Sequence, residues 1–419
     1  MSFFSLVSIL IALAAVSSYV NYRYIKLPTT VGVMLVALVA SLALVLIGPY
    51  AGGFRGQAAT IISQIDFNQV VLHGMLAFLL FAGAIHVKVE DLGREWLPIS
   101  LLAVIGTLFS TFIVGGVTWL LLGWLGLGIP FLYALIFGAL ISPTDPIAVL
   151  GIMKSAGAPR QLEIQVAGES LFNDGLGVVI FLVLLQLAGL DKTAGSAIGV
   201  GEVGVLLIRE VGGALVLGLA AGYLTYQMLK RVDNYQVEVL LTLALAMGLY
   251  SSADTLHLSA PIAVVVAGLF IGNQGRSFAM TDKTREYVDT FWELVDELVN
   301  IVLFLLIGLE LLVLPIERHW LVAGVLSIVV VLAARWLSVA GIIGPLSRVR
   351  TQSKGSISVL TWGGLRGGIS VAMALSVPAN PTRSLVLTLT YFVVIFSILI
   401  QGLTVGRVIR ATTASTANP

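Results

Sequence analysis

Apolar runs long enough to cross a hydrocarbon core recur along this chain from Phe3 to Val405, separated by short polar stretches. A bilayer core needs roughly 20 apolar residues per helix, and a backbone inside it must satisfy its own hydrogen bonds, which helices do. The pattern predicts an all-α, polytopic membrane protein. Composition agrees: of 419 residues 58% are hydrophobic and 11% charged, whereas a soluble domain carries about a quarter charged residues. A net charge of +1 lacks the concentrated basic face that a nucleic-acid partner requires. The absence of cysteine excludes disulfides, thiolate metal sites and cysteine nucleophiles. Arg23 and Lys26 follow the first apolar stretch, the reverse of a secretory signal's charge order, so it is read as a retained span.

Proline, glycine and charge clusters divide the chain into thirteen expected spans: 3–22, 28–48, 68–87, 97–122, 130–153, 161–190, 203–229, 236–254, 259–273, 287–314, 320–345, 355–378 and 384–406. Of the 23 lysines and arginines, sixteen fall in loops on one side and four (Arg55, Lys192, Arg318, Arg383) on the other. Arg209, Arg335 and Arg366 lie within spans. Cytoplasmic loops collect positive charge. The expected protein is therefore multi-pass in a cell (inner) membrane, N-terminus outside and C-terminus cytoplasmic, with a short tail over 411–419 and no regulatory domain. Two spans are interrupted, the fifth by Ser142-Pro143-Thr144-Asp145-Pro146 and the twelfth by Gly363-Gly364-Leu365-Arg366-Gly367-Gly368. Seven spans apart, they run in opposite directions, the sequence signature of an inverted-repeat transporter with its site at the midplane.

Pro143 and Pro146 lack N–H groups and push the residues before them out of the α region, so the fifth span should unwind around Thr144 and Asp145. Bare backbone at that depth is tolerated where it is buried in protein or lines a water-filled cavity, and free carbonyls suit a hard cation. A simple proline kink is the bland alternative. The sixth span carries Glu169-Ser170-Leu171-Phe172-Asn173-Asp174-Gly175. Helical spacing sets Ser170 beside Asp174 and Glu169 beside Asn173, so one stripe offers hydroxyl, amide and carboxylate oxygens. A carboxylate there is neutralised by a proton or by a monovalent cation, and competition for it couples their opposite movements. With Asn173 in place of a second acid, one-for-one exchange is expected. The bland alternative makes Asp174 a permanently paired structural acid.

Arg366 cannot deprotonate and must be paired or hydrated at the midplane. Glu169 is its expected partner, leaving Asp145 to offset the positive half-helix ends. In the tenth span Asp289, Glu293, Asp296 and Glu297 form an acidic face near the cytoplasmic end, read either as a helix start with favourable dipole placement or as a funnel concentrating cations. His86 is either interfacial or a pH sensor.

Taken together, these residues resemble the monovalent cation:proton antiporter family of NhaP-type bacterial antiporters and animal sodium/hydrogen exchangers, over nearly the whole chain. The carriers are residues 142–149, Ser142 to Val149; residues 168–175, Gly168 to Gly175; Phe291-Trp292-Glu293 with Asn300; and Trp362-Gly363-Gly364-Leu365-Arg366-Gly367. The resemblance implies a thirteen-helix fold moving in elevator fashion, with a core part over about 68–190, 287–314 and 355–406. A dimerisation part over about 1–48 and 203–273 implies a homodimer. The candidate ion-binding residues are Asp174, Ser170, Thr144, Asp145 and Asn173; the resemblance implies that Asp174 binds the monovalent cation with Ser170 and Thr144, that Asn173 marks the electroneutral branch, and that Glu169 and Arg366 form a core ion pair. An acid often follows Phe81 in this family; here Ala82 stands there, which leaves the third span's part open. The expected function is secondary active sodium/proton antiport in pH homeostasis, without enzyme activity or cofactor, its partners being lipid, monovalent cations, protons and a second copy. A potassium- or lithium-preferring antiporter fits the same residues. A passive channel needs a continuous carbonyl or charged ring, and an intramembrane protease pairing Asp145 with Asp174 has no use for Arg366.

Overall fold

The computed structural model describes residues 3–47, 56, 60, 69–190, 200–314 and 317–413. Arg55 and Lys192 of the charge count, and the tail beyond residue 413, lie outside the described residues. Everything described is helix or connection, apart from one isolated bridge between Asp145 and Leu365.

The helices are α1 (Phe3–Val20), α2 (Thr29–Ile47), α3 (Leu76–Ile85), α4 (Val89–Arg94), α5 (Trp96–Ser100), α6 (Thr107–Trp124), α7 (Phe131–Ile141), α8 (Ile147–Ala156) and α9 (Arg160–Leu187). They continue with α10 (Val200–Leu229), α11 (Tyr235–Thr255), α12 (Ala260–Phe270), α13 (Asp282–Glu310), α14 (Trp320–Leu346), α15 (Ser356–Trp362), α16 (Gly368–Ser376), α17 (Pro381–Phe396) and α18 (Gly402–Thr413). A π-helical stretch, Leu101–Gly106, fuses α5 to α6, and another, Ser397–Gln401, fuses α17 to α18. Boundaries follow local chemistry. Asn234 caps α11 by accepting from the Gln236 and Val237 N–H groups, Thr281 caps α13 through Thr284 N–H, and Asn380 caps α17 ahead of Pro381.

Among the described residues eight helices are long and apolar enough to cross a membrane. The other five expected spans depart for physical reasons. The third is a shorter apolar helix over Gln69–Ile85 with its π turn included, the ninth runs as α12 into a π turn over Ile271–Gly275, the fifth and twelfth are each split in two, and the tenth carries the acidic face.

Packing separates two groups. In one, α13 lies on α2, α3 and α11, while α12 joins α3, α10 and α11. Buried Trp292 of α13 ties that group together, its ring centroid 4.6 Å from that of Phe81 with the planes tilted by 46°, and its Nε1–H donating to Thr242 Oγ1 at 3.0 Å. In the other, α7 lies on α6 and α9, and α14 on α6, α15 and α17. Small residues permit close approach: a Cβ on Gly115 of α6 would stand 2.9 Å from Leu135 Cα, and one on Gly138 of α7 would stand 3.0 Å from Gly115 N. The tenth span thus packs on the first two spans, the third and α11, and the third packs on α11, α12 and α13.

Candidate functional site

The two interruptions meet. Asp145 N–H donates to Leu365 C=O at 2.8 Å, joining the break between α7 and α8 to the break between α15 and α16. Unwinding leaves backbone groups that must find partners, and side chains supply them. Arg366 Nη1 donates to the carbonyls of Ser142 and Pro143, the latter at 2.8 Å, and so closes the C-terminal end of α7. Arg335 does the same for α15, donating Nη2–H to Leu360 C=O at 2.9 Å. From the π turn after α17, Ser397 Oγ accepts Arg366 N–H at 2.9 Å, and Gln401 Nε2 donates to Trp362 C=O at 3.2 Å. Two cations therefore sit at two negative helix ends. Asp145 lies where a Cβ on Gly367 would meet its Cγ at 2.8 Å, against the positive start of α16.

Glu169 does not pair with Arg366. Its Oε1 and Oε2 accept from Nη1 and Nη2 of Arg335, the second bond at 2.9 Å, in a buried bidentate pair. The cause is positional: the guanidinium of Arg366 is already engaged by the α7 carbonyls, while Arg335 on α14 faces Glu169 across the end of α15. In the sequence Arg335 is one of three cations within spans, and its helix carries no accompanying motif that would assign it a role. The available signal was the cost of an unpaired arginine in a span.

Behind the break, Asn173 grips Thr144 twice, donating Nδ2–H to Oγ1 at 2.9 Å and accepting from N–H at 3.3 Å. Ser170 Oγ–H donates to Thr144 C=O. Thr144, Ser170 and Asn173 are all buried, whereas Asp145 and Asp174 are half-buried. A cavity of about 420 Å³ reaches this point, with Asp145, Ser170 and Asp174 in its wall; Thr144 and Asn173 stand behind. Exposed Lys88, Lys154 and Arg160 line it too, and all three belong to the basic side of the charge count. Its remaining wall comes from the other packed group, through His86 of the third span and Glu293 and Asp296 of α13. His86 Nδ1 is bonded to Ala82 C=O at 2.7 Å.

The acidic face of α13 divides. Glu293 and Asp296 line the cavity, Glu297 does not, and Asp289 is taken up by an ion pair with Arg276. Among the described residues no group of three or more His, Cys, Asp or Glu could hold a metal ion. What the cavity wall offers a cation at this point is the carboxylates of Asp145 and Asp174 and the hydroxyl of Ser170.

A helical membrane protein with two broken helices crossing beside a carboxylate-lined cavity is an ion-transporter architecture. Comparison with known proteins makes it specific: residues 9–411 match the family described as sodium/hydrogen exchanger, transmembrane, and the chain belongs to that family. It is 50% identical over 412 residues to the Na(+)/H(+) antiporter NhaP of Pseudomonas aeruginosa, covering 97% of this chain and 96% of that one. It is 35% identical to the Na(+)/H(+) antiporter NhaH of Halobacillus aidingensis, covering 88% and 91%. In fold it matches the sodium proton antiporter MjNhaP1 of Methanocaldococcus jannaschii with a TM-score of 0.77 at 21% identity, covering 98% of this chain and 99% of that one.

Proposed function

We propose that this chain exchanges sodium for protons by letting both compete for Asp174. The observation that carries the reading is the cavity with Asp174 and Ser170 in its wall, beside two crossed helix breaks at which Glu169 is already paired with Arg335. At the crossing three carboxylates (Asp145, Glu169, Asp174) face two guanidiniums (Arg335, Arg366), which leaves one negative charge for one proton or one monovalent cation. Electroneutral one-for-one exchange follows from that balance. Ser170 and the Thr144 carbonyl supply further oxygens once the Ser170 hydroxyl turns, and Asn173 holds the break open.

The cavity lies between the two packed groups, which supports alternating access of elevator type. The group carrying Asp174, including α14, would travel, and the group of α1–α3 and α10–α13 would stay and form a homodimer. The charge asymmetry supports thirteen crossings of a cell (inner) membrane, with the cavity mouth on the cytoplasmic side. The test is dequenching of a pH-sensitive dye in proteoliposomes on addition of sodium, lithium or potassium. Sodium should evoke proton movement in the wild type and none in Asp174→Asn, which removes the contested charge at constant volume. Full exchange in Asp174→Asn would refute the site.

A further inference from the structure

An α-helix leaves its last four carbonyls without intrahelical partners, and those of α13, Ile307 to Glu310, are all served from beyond the helix ladder. Leu309 accepts from Leu312 N–H at 3.0 Å, and Glu310 from Val313 N–H at 3.0 Å and Leu314 N–H at 3.2 Å, in the turn that follows. Gly308 accepts from Ser41 Oγ–H of α2 at 2.9 Å, within the group to which α13 belongs. Ile307 accepts from Tyr391 Oη–H of α17, which belongs to the other group. Both residues are buried, so a bond lost here strands a donor and an acceptor away from water. The place is far from the cavity that reaches Asp174: from Asp296 in that cavity's wall, Ile307 lies roughly 16 Å further along α13. Beside the bond the two groups fit loosely, with an apolar cavity of about 270 Å³ between Leu311 and Leu314 on one side and Ile328, Phe392 and Phe396 on the other. Tyr391 stands in its wall.

We propose that Tyr391 is a positioning residue of the exchange, its hydroxyl latching the travelling group to the stationary α13 in the state whose cavity opens beside Lys88, Lys154 and Arg160. Ser41 and the packing on α2 hold the end of α13 in place. Tyr391 is carried by α17, so a slide of its group by even about 1 Å breaks the bond. The hydroxyl therefore stabilises one opening of the protein over the other and sets the balance between them. This inference rests on the elevator reading but is separable from it.

The experiment compares half-saturating sodium for exchange at the two membrane faces of the full chain, in inside-out and right-side-out vesicles. Apparent affinity at each face scales with the fraction of protein open to it, so the ratio of outer to cytoplasmic half-saturating concentrations reports the balance whatever the overall rate. Tyr391→Phe keeps the ring and removes the donor, and should lower that ratio about threefold to tenfold, the scale of one buried hydrogen bond. Ser41→Ala removes the neighbouring donor inside the stationary group and should leave the ratio unchanged. An unmoved or raised ratio in Tyr391→Phe, or an equal fall in Ser41→Ala, overturns the latch. If Tyr391→Phe does not fold, a ring-fluorinated tyrosine at position 391, a stronger donor, replaces it and should raise the ratio; no rise overturns the latch. The elevator reading is checked separately by cross-linking Leu303→Cys on α13 to Gly368→Cys on α16, positions that touch across the seam. Exchange should stop on cross-linking and resume on reduction. Exchange that continues overturns the travelling group and the latch with it, whereas arrest with an unmoved ratio overturns the latch alone.

Discussion

At the scale of single residues, the site is decided by which charge finds which partner. Glu169 and Arg335 have only 2% and 6% of their side chains exposed. Removing one member of such a buried pair strands the other, at about 3–5 kcal/mol, whereas removing both leaves no orphan charge. Glu169→Gln and Arg335→Met should each lower thermal stability in detergent by more than half of that range, and the double variant should lose less than the sum of the two. Strict additivity would mean that the pair contributes no coupling. Glu169 was legible in the sequence as a buried acid needing a cation, as was Asp174 as a carboxylate beside Ser170. The identity of the cation was not, because Arg335 lies 166 positions away from Glu169 and pairing between helices follows from packing. Asn173 was legible as a polar neighbour of Asp174; its grip on Thr144 is a property of the folded break.

At the scale of elements, the prolines and glycines in the sequence located both helix breaks, and the odd offset gave their opposite directions. What satisfies the opened backbone was not legible, since Ser397 and Gln401 reach it from a π turn inside an apolar run with no proline or glycine to mark its start. The close approach of α6 and α7 makes a testable case. A Cβ at Gly138 would stand 3.0 Å from Gly115 N and 3.1 Å from Thr111 C, backbone atoms that cannot rotate away. Gly138→Ala should therefore cost about 1–3 kcal/mol of stability by overpacking. Gly151→Ala, with nothing within 4 Å of its added Cβ, should cost under about 0.5 kcal/mol. Equal thermal shifts for the two variants would show that the helices do not pack this closely.

At the scale of the whole molecule, span positions and the sidedness of charge were readable because both are one-dimensional. The assignment of the third and tenth spans to a packed group was not, because it depends on which helices touch. Sidedness is directly testable in a chain without cysteine. Ser155→Cys, exposed just past Lys154 in the cavity wall, should react with a membrane-impermeant maleimide in inside-out vesicles and stay unlabelled in right-side-out ones. Arg318→Cys should do the reverse, and identical labelling of both would refute the topology.

The claim on which the rest depends is that one proton and one sodium ion compete for Asp174, and it is tested most directly by the pH dependence of sodium affinity. Solid-supported membrane recording together with dye-monitored exchange in the same proteoliposomes gives both affinity and net charge movement. Below the pKa of Asp174, competition requires the half-saturating sodium concentration to rise about tenfold per pH unit, since each unit is worth about 1.4 kcal/mol. High sodium should restore the rate at acid pH, with no sustained current. A sodium affinity independent of pH, or a sustained sodium-driven current, would contradict the account.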